Sequence, residues 1–212
     1  MEITWYGHSC FRLAERGQVM VITDPYSDDI GLPPLRVKGD AVVTISHNQP
    51  GHNNLEVVKN PLYTLTGPGE YEIGGTFISG IDMSLGAADV AHRNIAYVVR
   101  YGDLTVLHLG DLMHVPDQST IEALGEVTVA LVPVGGGNSL KAAMAAEVIS
   151  LIEPFYIVPM HYELPGLRFP LESVEKFLKE MGVSKLQEED SLKVLATSLP
   201  EQPQVVVLRP QI

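Results

Sequence analysis

Short apolar runs that stop abruptly at polar residues recur along the chain and predict buried β-strands. Residues 41–45 form one such run, and residues 127–134 and 155–160 form two more. Runs of this length, in which apolar and polar residues do not alternate regularly, are typical of strands that are covered on both faces. Three further runs near the amino terminus are separated by turn residues, so we expect a β-meander over residues 3–23.

The second half of the chain alternates between predicted strands and predicted helices. Residues 94–101 and 104–111 predict two strands joined by a turn. Apolar residues recur at helical spacing over residues 139–153, and residues 116–124 and 171–182 predict two further helices. This alternation indicates an α/β protein.

Composition and charge narrow the class of protein. The 212 residues are 45% hydrophobic and 19% charged, which is typical of a compact folded chain, and their number fits one domain over residues 1–212. No apolar run approaches the roughly 20 residues of a membrane span. The amino terminus lacks a basic region followed by an apolar core, so we expect a cytoplasmic protein. With a net charge of -12 and only 14 Lys and Arg residues, we expect no nucleic-acid partner.

Candidate ligand residues follow three of the predicted strands. His47 and His52 come after the strand at 41–45, Asp111 ends the strand that begins at 104, and His161 follows the run at 155–160. Neighbouring strand ends lie side by side, so these side chains are expected to form one site. Histidine is the commonest metal ligand, which makes this a metal-site hypothesis. The alternative is that the loop histidines are bonded to backbone groups.

Five segments carry a resemblance to a known family. They are WYGHSCFRL with the strand into Asp24-Pro25, TISHNQPGH, HLGDL, LVPVGGG and IVPMHY. In order and approximate spacing they resemble the metallo-β-lactamase superfamily, and within it the small Zn-dependent hydrolases similar to L-ascorbate-6-phosphate lactonase. The resemblance implies an α/β fold, a four-layer αββα sandwich of mixed β-sheets with helices outside and the site at one edge.

The metal loop departs from the pattern of that family. The family pattern is His-x-His-x-Asp-His, and the matching positions here are His47, Gln49, Gly51 and His52. By the same alignment, Leu85 stands where the family has its next histidine. An amide oxygen carries no charge and glycine has no side chain, so the active site is degenerate. The resemblance then implies a first metal site with only His47 and the shared Asp111, with Gln49 as a poor third ligand, and we expect this site to be empty.

The second metal site of the family is more complete. The resemblance assigns His52, Asp111 and His161 to it, and His47 is able to swing in as a fourth ligand. Two histidines, a carboxylate and water form an adequate catalytic zinc set. We therefore expect one divalent metal, zinc, with manganese or iron as alternatives. The absence of any metal stays open as a second outcome.

A hydrolytic mechanism follows from the resemblance. A water molecule activated by the metal attacks an ester, lactone or phosphoryl centre of a small substrate. His47 is the candidate general base, and His8 is a candidate donor to the oxyanion. A hydrogen-bonded histidine at a strand end is the alternative for His8. Asp24 is expected to orient the metal loop, and His108 to point into the core.

Two functions from different classes remain open at this stage. The first is a hydrolase with a reduced, single-metal site, and the second is a non-catalytic member of the same fold that binds a ligand or a protein without metal. The four converging residues favour the first, and Gln49, Gly51 and Leu85 favour the second. Substrate choice depends on loops at residues 26–36, 82–93 and 162–170, and homo-oligomer formation is undecided.

Overall fold

The structure, a computed structural model, describes residues 1–84, 93–184 and 187–212. Leu85 and His92 therefore lie outside the described residues. The strands in chain order are β1 (Glu2–Gly7), β2 (Cys10–Ala14), β3 (Met20–Thr23), β4 (Val37–Thr44), β5 (Val58–Leu65), β6 (Gly69–Ile73), β7 (Thr76–Asp82), β8 (Ile95–Tyr101), β9 (Leu104–His108), β10 (Val129–Pro133), β11 (Tyr156–Met160), β12 (Glu188–Glu189), β13 (Leu192–Lys193), β14 (Gln204–Val205) and β15 (Val207–Leu208).

The helices agree with the three predicted from the sequence, but each is shorter. They are α1 (Gln118–Leu124), α2 (Ala142–Ile152) and α3 (Val174–Glu180). The terminal residues of the predicted segments cap these helices instead of extending them. Asp117, for example, accepts a hydrogen bond from Thr120 N at 2.8 Å and so fixes the start of α1.

Two large mixed sheets form the body of the fold. The first has the strand order β13-β1-β2-β3-β4-β5, and the second has the order β14-β11-β10-β9-β8-β7-β6. In each sheet the strands nearest the site run parallel, namely β3 with β4 and β9 with β10 and β11. The run GPGEYEIGG, whose glycines suggest tight turns, contributes the regular strand β6 paired with β7.

The two sheets pack face to face around one hydrophobic cluster. That cluster contains Trp5 and Leu13 of the first sheet together with Tyr97 and Val106 of the second, all fully buried. Cross-sheet hydrogen bonds reinforce the packing, because Tyr97 Oη donates to Leu65 O at 2.8 Å. Alternate residues of the strands thus face this shared core, as expected for a sandwich.

The outer faces of the two sheets are covered differently. Buried side chains of α2 and α3 pack into the main cluster and cover the second sheet. The outer face of the first sheet packs against residues 26–36, which include a 3₁₀ helix at Asp28–Ile30. The helical layer is therefore thin on this side among the described residues. None of the helices described is both long and apolar enough to cross a membrane.

The fold brings the carboxyl ends of four strands to one edge of the sandwich. The chain leaves β3 at Asp24, β4 at Ile45, β9 at Leu109 and β11 at His161. The turn between β1 and β2 lies at the same edge, because Phe11 N donates to Thr23 Oγ1 at 3.0 Å. Residues distant in sequence meet here, which is where α/β sheets bind ligands.

Candidate metal centre

One carboxylate oxygen lies at the middle of the candidate site. Asp111 Oδ2 is 3.3 Å from His52 Nε2, 3.3 Å from His161 Nε2 and 3.6 Å from His47 Nε2. The structure thus brings together the four residues predicted as metal ligands. Burial opposes ionisation of Asp111, but His161 and His52 outweigh that effect and hold its pKa well below the ordinary range.

A buried carboxylate orients His52. Asp24 is fully buried, and its Oδ2 accepts from His52 Nδ1 at 2.9 Å. The other ring nitrogen, Nε2, therefore faces Asp111 with its lone pair available when the ring is neutral. Burial alone lowers the pKa of His52, yet the charges of Asp111 and Asp24 and their hydrogen bonds raise it to about 10. Asp24 has the orienting position predicted for it.

Serine hydroxyls orient the other two predicted ligands. Ser46 Oγ donates to Asp24 Oδ2 at 2.5 Å and so accepts from His47 Nδ1 at 2.9 Å. In the same way Ser139 Oγ donates to Gly136 O and accepts from His161 Nδ1 at 3.1 Å. Each histidine therefore presents Nε2 to Asp111. Burial and the neighbouring His52 lower the pKa of His47 to about 4.

His8 joins the cluster from the turn between β1 and β2. Its Nε2 lies 3.1 Å from His52 Nε2, and its ring centroid is 4.4 Å from that of His161. Its other ring nitrogen, Nδ1, is buried and has no hydrogen-bond partner in the part of the chain that the structure describes. Burial, reinforced by the neighbouring His161, lowers the pKa of His8 well below the ordinary value. The structure thus places His8 among the predicted ligands and not at their rim.

Backbone strain is concentrated at this site. Four non-glycine residues of the described chain have positive φ, and three of them are His8 (52°), Asp24 (37°) and His161 (51°). Side chains other than glycine rarely adopt this conformation, and it persists where the surrounding structure fixes it. The carbonyl of His8 accepts from both Trp5 Nε1 and His161 N, at 3.0 and 3.1 Å. These bonds hold the two strained residues together.

Asp111 is fixed by Gly110 and Asn94. Asn94 Oδ1 accepts from Asp111 N at 2.9 Å, while its Nδ2 donates to Leu109 O at 2.9 Å. Gly110 has φ +56°, and a Cβ there would lie 2.3 Å from Asn94 Oδ1. Only glycine fits at this turn, because any side chain would collide with the residue that orients Asp111. His108, as predicted, points into the core and bonds to Ser9 O.

The positions that depart from the family pattern behave differently from one another. Gln49 lines the cavities on both sides of the histidine cluster. Gly51 is buried and has no side chain to contribute. Leu85, the third such position, lies outside the described residues.

The donor set fits a single divalent ion. Ligand atoms about 2.0–2.1 Å from a tetrahedral zinc ion lie roughly 3.3 Å from one another. Asp111 Oδ2 has this spacing from Nε2 of His52 and from Nε2 of His161, and one ring nitrogen of each histidine lies within 4.8 Å of the other. Asp111 Oδ1 is buried and has no hydrogen-bond partner among the described residues, so the carboxylate can accept a further bond from within this part of the chain. Asp24, His47 and His52 form a second ligand-like group, but Asp24 is occupied by hydrogen bonds.

A cavity of about 550 Å³ opens above the cluster. Its walls are mainly apolar, and its volume suits a small molecule. Around His8, His52, Asp111 and His161 it is lined by Asp29, Ile30, Gln49, Pro50, Gly51, Gly137, Asn138, Phe169, Pro170 and Leu171. In the part of the chain that the structure describes, no Lys or Arg lines this cavity.

Several supporting residues were missed by reasoning from the sequence. Ser139 and Asn94 orient His161 and Asp111 through single hydrogen bonds across the fold, and no local pattern marks them. Gly110 carried a usable signal, because a glycine directly before a candidate ligand marks a constrained turn. Ser46 adjoins His47 in the sequence, so its contact with His47 could be anticipated. Its hydrogen bond to Asp24 could not, because the two residues meet only in the folded chain.

Comparisons with known proteins agree with this geometry. A family model described as a Beta-lactamase superfamily domain matches residues 2–161. A UPF0173 protein from Pyrococcus abyssi is 31% identical over 186 residues, which are 78% of this chain and 85% of the relative. A UPF0173 metal-dependent hydrolase from Methanopyrus kandleri is 28% identical over 218 residues, which are 86% of this chain and 94% of the relative.

A solved structure gives the same result for the fold. It is the crystal structure of a candidate Zn-dependent hydrolase of the metallo-β-lactamase superfamily from Thermotoga maritima. The TM-score is 0.78 and the sequence identity 33%, with 98% of this chain and 97% of that chain covered. The superposition confirms the fold that the sequence predicts.

Proposed function

The chain belongs to the metallo-β-lactamase superfamily, and from this membership we propose that it is a hydrolase that uses one divalent metal ion. The observation that carries the proposal is the meeting of three histidine Nε2 atoms around Asp111 Oδ2. A structural role alone gives little reason to bury four titratable side chains at one point. The relatives from Methanopyrus kandleri and Thermotoga maritima, described as metal-dependent hydrolases, support the same class of activity.

His52, Asp111 and His161 are the residues that would hold the ion. When bound, a divalent ion supplies Lewis acidity and lowers the pKa of a water molecule toward neutrality. Asp24 and Ser139 keep the ligand rings in the orientation that exposes Nε2. Zinc is the ion we propose, since it accepts nitrogen and carboxylate ligands in this number.

His47 is the residue we propose as general base. Its Nδ1 is committed to Ser46 Oγ, so its Nε2 lone pair faces the site. It lies at the edge of the cluster, 3.6 Å from Asp111 Oδ2, with about a tenth of its side chain exposed. This position lets it take the proton of an attacking water while the other histidines stay fixed.

The cavity favours an uncharged ester or lactone as substrate. Phe169 and Leu171 line it together with Ile30, and Asn138 offers an amide for a polar group. A phosphoester carries negative charge that Arg or Lys usually neutralises. Among the described residues lining this cavity neither is present, so a phosphoester is the less favoured substrate class.

Metal content tests the proposal directly. Elemental analysis is made on untagged wild type, on the His52→Ala/His161→Ala variant, and on His114→Ala, which removes a histidine outside the cluster. We expect close to one metal per chain in wild type and His114→Ala, and little in the double variant. The wild type is then assayed with lactones, carboxylic esters and phosphodiesters. No metal in wild type after incubation with excess zinc would contradict the proposal.

A second candidate function rests on the two altered loop positions. Gln49 and Gly51 leave the family's ligand pattern incomplete, which favours a protein that binds a small ligand in the same cavity without catalysis. A metal-free wild type with an intact fold would support this candidate. Circular dichroism of the same samples separates that outcome from simple unfolding.

A further inference from the structure

We propose that His8 takes the place of the missing carboxylate at position 51, so that the ion is held by His8, His52, Asp111 and His161. The inference rests on the proposed function, because it assigns a fourth ligand to the same metal. It also changes the role of His8 from the oxyanion donor considered above to a ligand. The other assignments of the site are unaffected.

Gly51 and His8 compete for the same space. A Cβ built on Gly51 would lie 2.8 Å from His8 Nε2 and 3.2 Å from His8 Cδ2. Real Cβ atoms essentially never have a contact as short as 2.8 Å, so a side chain at 51 requires the ring of His8 to move. In its present position the imidazole of His8 therefore occupies the space that an aspartate at position 51 would enter.

The facing nitrogens of His8 and His52 need a cation or a proton between them. His52 Nδ1 is committed to Asp24, so its Nε2 presents a lone pair toward His8 Nε2 at 3.1 Å when the ring is neutral. Two such nitrogens attract each other only through a shared proton or a shared cation. A metal ion satisfies both at once, and 3.1 Å is close to the roughly 3.3 Å between ligands of a tetrahedral zinc ion.

His8 is held rigidly beside the other ligand residues. One ring nitrogen from each of His8, His52 and His161 lies within 4.8 Å of the other two. The strained backbone at φ 52° is held by two hydrogen bonds to its carbonyl, one of them from His161 N. Its ring also packs edge-on against Phe169 at 5.6 Å. A ligand gains affinity when its position is fixed before the ion binds.

The exchange of ligand type has a chemical consequence. Three neutral imidazoles and one carboxylate carry one negative charge less than the family set of two histidines and two aspartates at this ion. Imidazole ligands suit zinc, whereas carboxylates suit manganese. We therefore expect this site to prefer zinc over manganese more strongly than a site with aspartate at position 51.

The experiment uses His8→Asn, because asparagine tolerates the positive φ at this position and removes the ring. Wild type, His8→Asn and His8→Asn/Gly51→Asp are titrated with zinc by calorimetry, and with cobalt, whose visible absorption reports the number and type of ligands. We expect the dissociation constant for zinc to rise about 100-fold in His8→Asn, since loss of even an outer partner costs 10–100-fold. Gly51→Asp should recover much of that loss.

The outcomes separate this inference from the function on which it rests. Wild type that binds no metal contradicts the proposed function. If wild type binds zinc, and His8→Asn binds it equally tightly with an unchanged cobalt spectrum, the proposed function stands and only the role of His8 is overturned. If Gly51→Asp restores metal affinity to the His8→Asn variant, with a shift in preference toward manganese, the result supports the role of His8 as a ligand. Thermal unfolding of each metal-free variant identifies any that fails to fold, and His8→Gln is the replacement in that case.

Discussion

The two sides of Asp111 differ in how completely they can hold a metal ion. On one side His8, His52 and His161 surround a buried point beneath an apolar cavity. On the other side His47 is the family ligand that remains, and Gln49 stands beside it at a second cavity of about 610 Å³ that includes Arg93. The first side still offers a full set of candidate ligands, and the second side does not.

With His8 as the proposed ligand, the number of ligands on this side is preserved in space and not in sequence. The carboxylate missing at Gly51 is matched by a ring from His8, which precedes His52 by 44 positions. The loss at Gln49 has no such replacement among the described residues. A degenerate motif is therefore informative only after the side chains that enter the vacated space have been identified.

The largest effect is expected for the residue that both sides share. Asp111→Asn removes the charge that faces three histidines, so we expect zinc binding to weaken more than about 100-fold, beyond the 10–100-fold typical of outer partners. Calorimetry measures the zinc affinity of the variant, and elemental analysis measures its zinc content. Asp103→Asn, in the exposed turn between β8 and β9, is the matched control and should bind like wild type. Normal zinc content in Asp111→Asn would show that Asp111 is not a metal ligand.

A large effect on folding is expected just before that residue. Gly110→Ala introduces positive-φ strain and a collision with Asn94, so we expect the free energy of unfolding to fall by about 3 kcal/mol. Gly102→Ala has a similar φ of +59°, and no atom of the described residues lies within 4 Å of the new Cβ. It should lose only about 1 kcal/mol, the strain alone. Urea unfolding of both variants measures the difference, and equal losses would contradict the packing argument.

An intermediate effect is expected for the carboxylate behind His52. Asp24→Asn keeps the size of the side chain but weakens the hydrogen bond that orients His52, so zinc affinity should fall 10–100-fold. The protein should also lose about 2 kcal/mol of stability, since Asp24 accepts two further bonds from Ser46. Asp40→Asn, exposed on β4, is the control. Unchanged affinity would place Asp24 outside the metal-binding network.

The main strands and the residues at the centre of the candidate site were predictable because their signals are local. The run at residues 41–45 lies within β4, and His47, Asp111 and His161 follow strands whose ends must meet. The role of His8 was not readable, because it depends on positive φ, on contacts across both sheets and on the space left at Gly51. Residues 69–73 were missed as a strand because glycines at both ends suggest turns.

The smallest effect is expected on the depleted side of Asp111. Gln49→His adds a nitrogen ligand near His47 and Asp111, which gives a second ion two histidines and a shared carboxylate. We expect metal content to rise above one per chain only at high zinc, because the position of Leu85 still offers no ligand. Gln49→Ala, which adds no donor, is the control and should keep one ion. If Gln49→His binds a second zinc ion as tightly as the first, the side of Asp111 that carries His47 needs no further ligand. The residue at position 49 alone would then explain why wild type binds no ion on that side.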